Sequence, residues 1–236
     1  MNLYFLVEGD MTETRVYDSW VPCVFNGFTP VEDHEKAKDS NYYIVSGGGY
    51  PQYIDRIIQS FENLNDVPAL YEHFFICIDS EEMSKEEKWN EVQEAVDLAL
   101  DRTKVRIRNA SLQVHIIVQN CCIETWFLGN QKVMSRTPTS ERLLEFKRFF
   151  DVIENDPEKM PTLPGFQTRA SFHLEYLKEM FRERSIRYTK SNPGCVLEDY
   201  YVAALHDRHQ RTEHLRSLGI LFSVWALIGG KMPTER

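Results

Sequence analysis

No apolar run in this 236-residue chain approaches the roughly 20 residues that span a bilayer. The longest candidates, Leu3–Val7 and Leu218–Ile228, are too short or too interrupted by polar and small residues. A basic opening segment is also missing. Glu8 closes the first apolar run after a few positions, so no secretory leader is expected. The cysteines are Cys23, Cys77, Cys121, Cys122 and Cys195, an odd number with no CxxC pair. That pattern argues against a zinc site or a disulfide framework and for reduced, mostly buried thiols. Asn109-Ala110-Ser111 matches a glycosylation sequon, which means nothing without secretion. There is no GxxxxGK[ST] motif, and Gly47-Gly48-Gly49 lacks the lysine that reaches a phosphate. Internal repeats and low-complexity tracts are absent as well. These absences together predict a cytoplasmic protein with no membrane contact.

Positive charge is scarce. The net charge of −9 argues against a simple nucleic-acid coat. It is unevenly spread: residues 1–130 hold 10 Lys+Arg against 22 Asp+Glu, and residues 131–236 hold 17 against 14. An acidic half joined to a mildly basic half suits a metal site beside a backbone-binding surface, although unplanned surface chemistry gives the same asymmetry. A hydrophobic content of 42% with 27% charged residues is that of a globular chain able to bury a core.

The apolar runs then set the architecture. Residues 2–7, Tyr42–Val45, His73–Ile78 and Leu112–Val118 read as buried strands. Between them lie helical patterns. Thr12 reads as an N-cap followed by Val16, Trp20, Val21 and Val24. Pro51 opens a helix with Tyr53, Ile54, Ile57, Ile58 and Phe61 on one face. Ser84 and Glu87 form a capping box ahead of a stripe of Trp89, Val92, Val96, Ala99 and Leu100. Residues 26–41 read as a loop. Strand-helix alternation predicts an α/β fold, a mostly parallel sheet flanked by helices over residues 1–130. Residues 131–236 read as a mainly helical C-terminal segment, with helices over Ser140–Ile153, Ala170–Arg184 and Leu197–Leu218.

In an open parallel sheet, ligands bind outside the carboxyl ends of the strands. Glu8 follows the first strand. Asp79 and Glu81 follow the third, and Glu124 follows the fourth. Carboxylates gathered at one edge repel one another unless a cation neutralises them. Mg²⁺ (or Mn²⁺) prefers such oxygen ligands, so Glu8, Asp79, Glu81 and Glu124 are the candidate metal-holding and catalytic residues. The bland alternatives are loop or helix-capping roles for Glu8 and Asp79, a solvated helix start for Glu81, and a structural role for Glu124. Asp10 and Glu13 flank Glu8, and Glu13 also suits the first turn of a helix.

Val7-Glu8-Gly9-Asp10-Met11-Thr12-Glu13 resembles the opening motif of Toprim-fold nucleases, most closely the OLD-type and RloB-like branches of prokaryotic phage defence. Asp79-Ser80-Glu81 is similar to that fold's Asp-x-Asp motif, with Glu in the second place. Cys122-Ile123-Glu124-Thr125-Trp126-Phe127-Leu128 is similar to the segment after the fourth strand in RloB-like proteins. The resemblance covers about residues 1–130. It implies a Toprim-like fold, Mg²⁺- or Mn²⁺-dependent cleavage of DNA or RNA, and abortive-infection defence. Several members of such families act beside an ATPase, and because this chain has no P-loop, any ATP control would come from a separate partner.

The C-terminal segment adds weaker signals. Lys190, after Arg182, Arg184 and Arg187, is a candidate for stabilising charge on a scissile phosphate, set against an ordinary solvated lysine. His206, His209 and His214, interleaved with Arg208 and Arg211, read as a basic helix surface and not as a metal site. On nucleic acid, Arg208, Arg211 and Arg216 would contact phosphates. Phe222, Trp225 and Leu227 read as core. The expected function is a metal-dependent nuclease. The rivals are a phosphohydrolase of nucleotides or small phosphate esters, and a non-catalytic subunit of a defence complex. DNA versus RNA and self-association as a homo-oligomer stay open.

Overall fold

Leu3–Val7 is wholly buried, and its branched and aromatic side chains suit a strand covered on both faces. It forms β1, the middle strand of a five-stranded parallel sheet. The others are β2 (Thr29–Pro30), β3 (Asn41–Ser46), β4 (His73–Asp79) and β5 (Gln113–Gln119). Their spatial order is β2-β3-β1-β4-β5. Leu3 pairs with Tyr42 on one side and His73 on the other, and Val7 pairs with Ser46 and Cys77. Among the described residues the connecting helices are α1 (Thr12–Val24), α2 (Gln52–Asp66) and α3 (Lys85–Thr103). In this computed structural model the described residues are 1–49, 51–103 and 111–234. Asn109 and Ala110 of the sequon lie outside them.

Helices lie on both faces of the sheet, as strand-helix alternation predicts. Tyr4 and Leu6 of β1 join Phe74, Ile76 and Ile78 of β4 in a core with Tyr53, Ile57 and Phe61 of α2 and Val92, Val96 and Ala99 of α3. Phe5 points the other way, stacks on Phe75, and meets Tyr17 of α1 with ring centroids 5.5 Å apart. The period-2 alternation of side chains along β1 thus sorts the helices between the faces.

Several local expectations need correction. Thr12 is the first residue of α1, and Met11 is its cap. The loop over residues 26–41 contains β2, a two-residue edge strand. Its Pro30 is tolerated because an edge strand needs no donor on its open side. β3 is only partly covered, with Tyr42 its one buried side chain. On α3, Trp89 is 44% exposed while Lys88 is buried and paired with Glu91 at 2.8 Å. The aliphatic stem of a lysine packs as well as many apolar side chains, so a pattern of residue types cannot separate the two.

The turn after β3 is tied to the end of β1. Gly47 N donates to Val7 O at 2.7 Å, and Gly49 N donates to Glu8 O at 3.1 Å. A Cβ on Gly47 would lie 2.2 Å from the ring of buried Tyr53, so close approach explains that glycine. The Tyr53 hydroxyl donates to Leu6 O and Cys77 O, clamping β1 to β4 just ahead of their ends.

The chain divides into two compact units. The first is Met1–Ile78 with Lys85–Val118, and the second is Asp79–Ser84 with Gln119–Arg236. In the second unit lie α4 (Ile123–Phe127), α5 (Glu141–Phe149), α6 (Arg169–Glu183), α7 (Asp199–Thr212) and α8 (Arg216–Leu227). Ser140 caps α5 through a bond from Leu143 N. That helix stops at Phe149 and does not run to Ile153. The expected helix Leu197–Leu218 is two. Glu213 and Leu215, both at φ +57°, break it, and nothing in the residue pattern marks that left-handed break. Leu227 is 85% exposed, whereas Phe222 and Trp225 are core, as expected. The five cysteines are free thiols, three of them buried.

His73 Nδ1 and His115 Nε2 of the first unit lie 3.1 Å apart in stacked rings. Such a contact needs one N–H and one lone pair, so it favours a ring that stays neutral. Burial, and next the neighbouring His73, hold His115 down at about 4, and burial lowers His73. The folded value lies below the ordinary imidazole value of about 6.5, so the unfolded chain binds more protons between them. Stability from this pair is full above that window and is lost as pH falls through it. The urea midpoint of the wild type should drop more between pH 7 and pH 4.5 than that of His115→Gln. Equal drops would show that the pair carries no pH linkage.

Candidate functional site

Backbone pairing continues past the ends of β4 and β5 inside the second unit. Ser80 N donates to Gln119 O (2.9 Å), Glu81 N to Cys121 O (2.8 Å), and Cys121 N to Ser80 Oγ (2.8 Å). Glu81 at φ +50° and Cys121 at φ +69° are both left-handed non-glycine residues. Each costs about 1–3 kcal/mol, and these bonds across the turn hold them. The chain then enters α4, where Thr125 Oγ1 accepts from Cys122 N at 3.4 Å.

A buried polar hub braces this turn. Ser217 Oγ of α8 accepts from Trp126 Nε1 (2.7 Å) and Asn120 N (3.2 Å) and donates to the carboxylate of buried Glu158. Asn120 in turn accepts from Arg169 of α6 at 3.1 Å. The serine hydroxyl is used as both donor and acceptor, and such cross-linked polar groups rigidify a buried turn.

Asp79 is the half-buried last residue of β4, and Glu81 is exposed two residues on. Glu124 in α4 is 3% exposed, and its Oε1 accepts from the hydroxyl of buried Tyr188 at 3.1 Å. Asp79 and Glu124 both act on the thiol of Cys122. That thiol is raised well above its ordinary value, first because it donates to Cys121, then through burial, then through the negative charges of Glu124, Cys121 and Asp79. Cys121 is the more acidic of the two, stabilised first by the hydrogen bond from Cys122 and also by His173 and Arg169. The negative charges of Asp79 and Glu124, both in the second unit, are thus felt at one thiol. Lys190 is exposed in a tight turn closed by Thr189 and Asn192, which exchange both backbone bonds at 3.0 Å. Glu8 belongs to the first unit, half-buried directly after β1, and its carbonyl accepts from Gly49 N. Asp10 is exposed, and Glu13 sits in the first turn of α1.

Oxygen-donor carboxylates fit Mg²⁺ or Mn²⁺ by donor type. Among the described residues, however, the convergent set of metal-ligating groups is Cys121, Cys122 and His173, and no carboxylate belongs to it. The residue pattern hid this set: the two thiols are adjacent and the imidazole lies far along the chain.

The basic helix surface needs correction. Arg208 is 1% exposed and donates to Gly129 O, Asn155 O and His214 Nδ1, so it is a structural cation and not a phosphate contact. Burial lowers its guanidinium to about 10. His209 Nδ1 bonds to His214 O at 2.7 Å and spans the break between α7 and α8. Exposed cations gather elsewhere. Lys132, Arg136, Arg184 and Arg211 line an open cleft of about 680 Å³ within the second unit. No family model matches the chain, and no curated protein or solved structure matches it.

Arg208→Leu should cost about 3 kcal/mol, because charge-assisted bonds to buried carbonyls are lost together. Urea denaturation checks this. A loss under about 1 kcal/mol would contradict the structural role.

Proposed function

We propose that this protein is a metal-dependent nuclease that hydrolyses phosphodiester bonds of DNA or RNA, acting in anti-phage defence. The observation that carries the reading is the parallel pairing of β1 with β4 at the point where the strand order turns back. Glu8 directly follows β1, and Asp79 is the last residue of β4. Strand ends at such a switch point are where open α/β sheets bind ligands. The resemblance of Val7–Glu13, Asp79–Glu81 and Cys122–Leu128 to Toprim-fold proteins of the OLD-type and RloB-like kind supports the same reading.

Glu8, Asp79, Glu81 and Glu124 would hold Mg²⁺ or Mn²⁺. Such an ion, when bound, polarises a phosphoryl oxygen and acidifies a water. The Tyr188 hydroxyl donates to Glu124 Oε1 and would orient that carboxylate. Lys190 would offset negative charge as it builds on the phosphate. Lys132, Arg136, Arg184 and Arg211 supply a cationic cleft suited to a polyanion, with the salt dependence that phosphate contacts bring. Control by ATP would require a separate ATPase.

The test incubates purified protein with supercoiled DNA, total tRNA and a nucleotide panel, in Mg²⁺, Mn²⁺ or EDTA. Cleavage of one polymer is expected only with metal. Glu8→Gln and Asp79→Asn should each lower it at least about 100-fold, the scale of losing one electrostatic contributor at a reacting centre. Cleavage that survives EDTA or both substitutions overturns the reading. Phosphate release from nucleotides alone replaces it with a phosphohydrolase.

A further inference from the structure

Cys121, Cys122 and His173 take no part in the carboxylate chemistry above, yet all three are buried and their ligand atoms lie within 4.8 Å of one another. Successive side chains of an extended strand point to opposite faces, so two adjacent thiols converge only where the backbone turns. It turns at Cys121, whose left-handed φ of +69° is held by the bonds to Ser80 Oγ and from Glu81 N, and Cys122 follows in extended conformation. The strain therefore serves to bring the two sulfurs to one side.

His173 is oriented in the way metal-ligating histidines are. Its Nε2 lies 3.1 Å from Met160 O. A carbonyl only accepts, so Nε2 carries the proton and a neutral ring keeps its lone pair on Nδ1. A ring nitrogen fixed by a backbone carbonyl is the usual outer partner of a histidine ligand. Nδ1 is 2.7 Å from Thr125 Oγ1, which lies 3.5 Å from Cys122 Sγ. Without an ion, the threonine hydroxyl satisfies that lone pair.

We propose that Cys121, Cys122 and His173 bind one thiophilic cation of the Zn²⁺ class, through two thiolates and one imidazole nitrogen, with water completing the shell. Both thiols give their protons to solvent on binding. Two thiolates neutralise a divalent ion, so the assembled centre carries no net charge in its buried position, which keeps its desolvation cost low. Ligand atoms on a tetrahedral zinc sit roughly 3.8 Å apart, so the present spacing closes by about 1 Å or less through side-chain rotation. Sulfur donors select against Mg²⁺, so donor type tells the two ions apart even though the charges of Asp79 and Glu124 reach Cys122.

Metal-free, reduced full-length protein titrated with Co²⁺ tests this. The expected result is a near-ultraviolet thiolate-to-cobalt band with tetrahedral visible bands, saturating at one equivalent and displaced by Zn²⁺. Cys122→Ser should weaken the band, and Glu8→Gln should leave it intact whatever it does to cleavage, so the two proposals fail independently. In case the cysteine variant does not fold, wild-type alkylation followed by mass spectrometry gives a second reading. Zn²⁺ should slow modification of Cys121 and Cys122 and leave Cys23 and Cys195 unchanged. The proposal is overturned if the wild type shows no thiolate-cobalt band, or if Zn²⁺ protects Cys121 and Cys122 no more than Cys23 and Cys195.

Discussion

Parallel pairing of β1 with β3 on one side and β4 on the other is the constraint on which the rest of the first unit depends. Parallel strands need a crossover to return the chain, and α1, α2 and α3 are those crossovers. Because every strand then runs the same way, every carboxyl end lies on one edge of the sheet. The Tyr53 hydroxyl on Leu6 O and Cys77 O, and the backbone bonds from Gly47 and Gly49, fix those ends against one another. Core residues such as Phe5, Tyr4 and Ile76 supply the burial that makes the pairing stable.

The second unit solves a different problem. It must hold a turn with two left-handed residues, Glu81 and Cys121, beside buried polar groups. Backbone bonds across the turn, the Ser217 hub and the Thr125–His173 contact together satisfy those groups. Ring-on-ring packing of Phe146, Phe166, Phe172 and Tyr176 builds the adjoining core of α5 and α6.

The buried strands and the faces of α2 were legible because apolar residues recur there at the periods of a strand and a helix. Leu3–Val7 and the spacing of Tyr53, Ile57 and Phe61 leave little choice. What escaped was set by tertiary context. The two residues of β2 are too few to show a period. Lys88 is buried and Trp89 exposed on neighbouring positions, reversing what their types suggest. Arg208 looked like a surface cation and is a core one, because carbonyls of Gly129 and Asn155 converge on it. On the site side, carboxylates after strand ends could be read from the sequence. The Cys121–Cys122–His173 set could not, because it depends on a backbone turn and on the packing of α6.

The central claim is that carboxylates at the strand ends hold a hard divalent ion. Mn²⁺ binding followed by electron paramagnetic resonance tests it most directly, on the wild type and on Asp79→Asn, with Zn²⁺ added to fill any thiolate site. The account predicts bound Mn²⁺ in the wild type that Mg²⁺ displaces, and loss of that binding in Asp79→Asn. Mn²⁺ binding that is absent from the wild type, or unchanged in the variant, would contradict it.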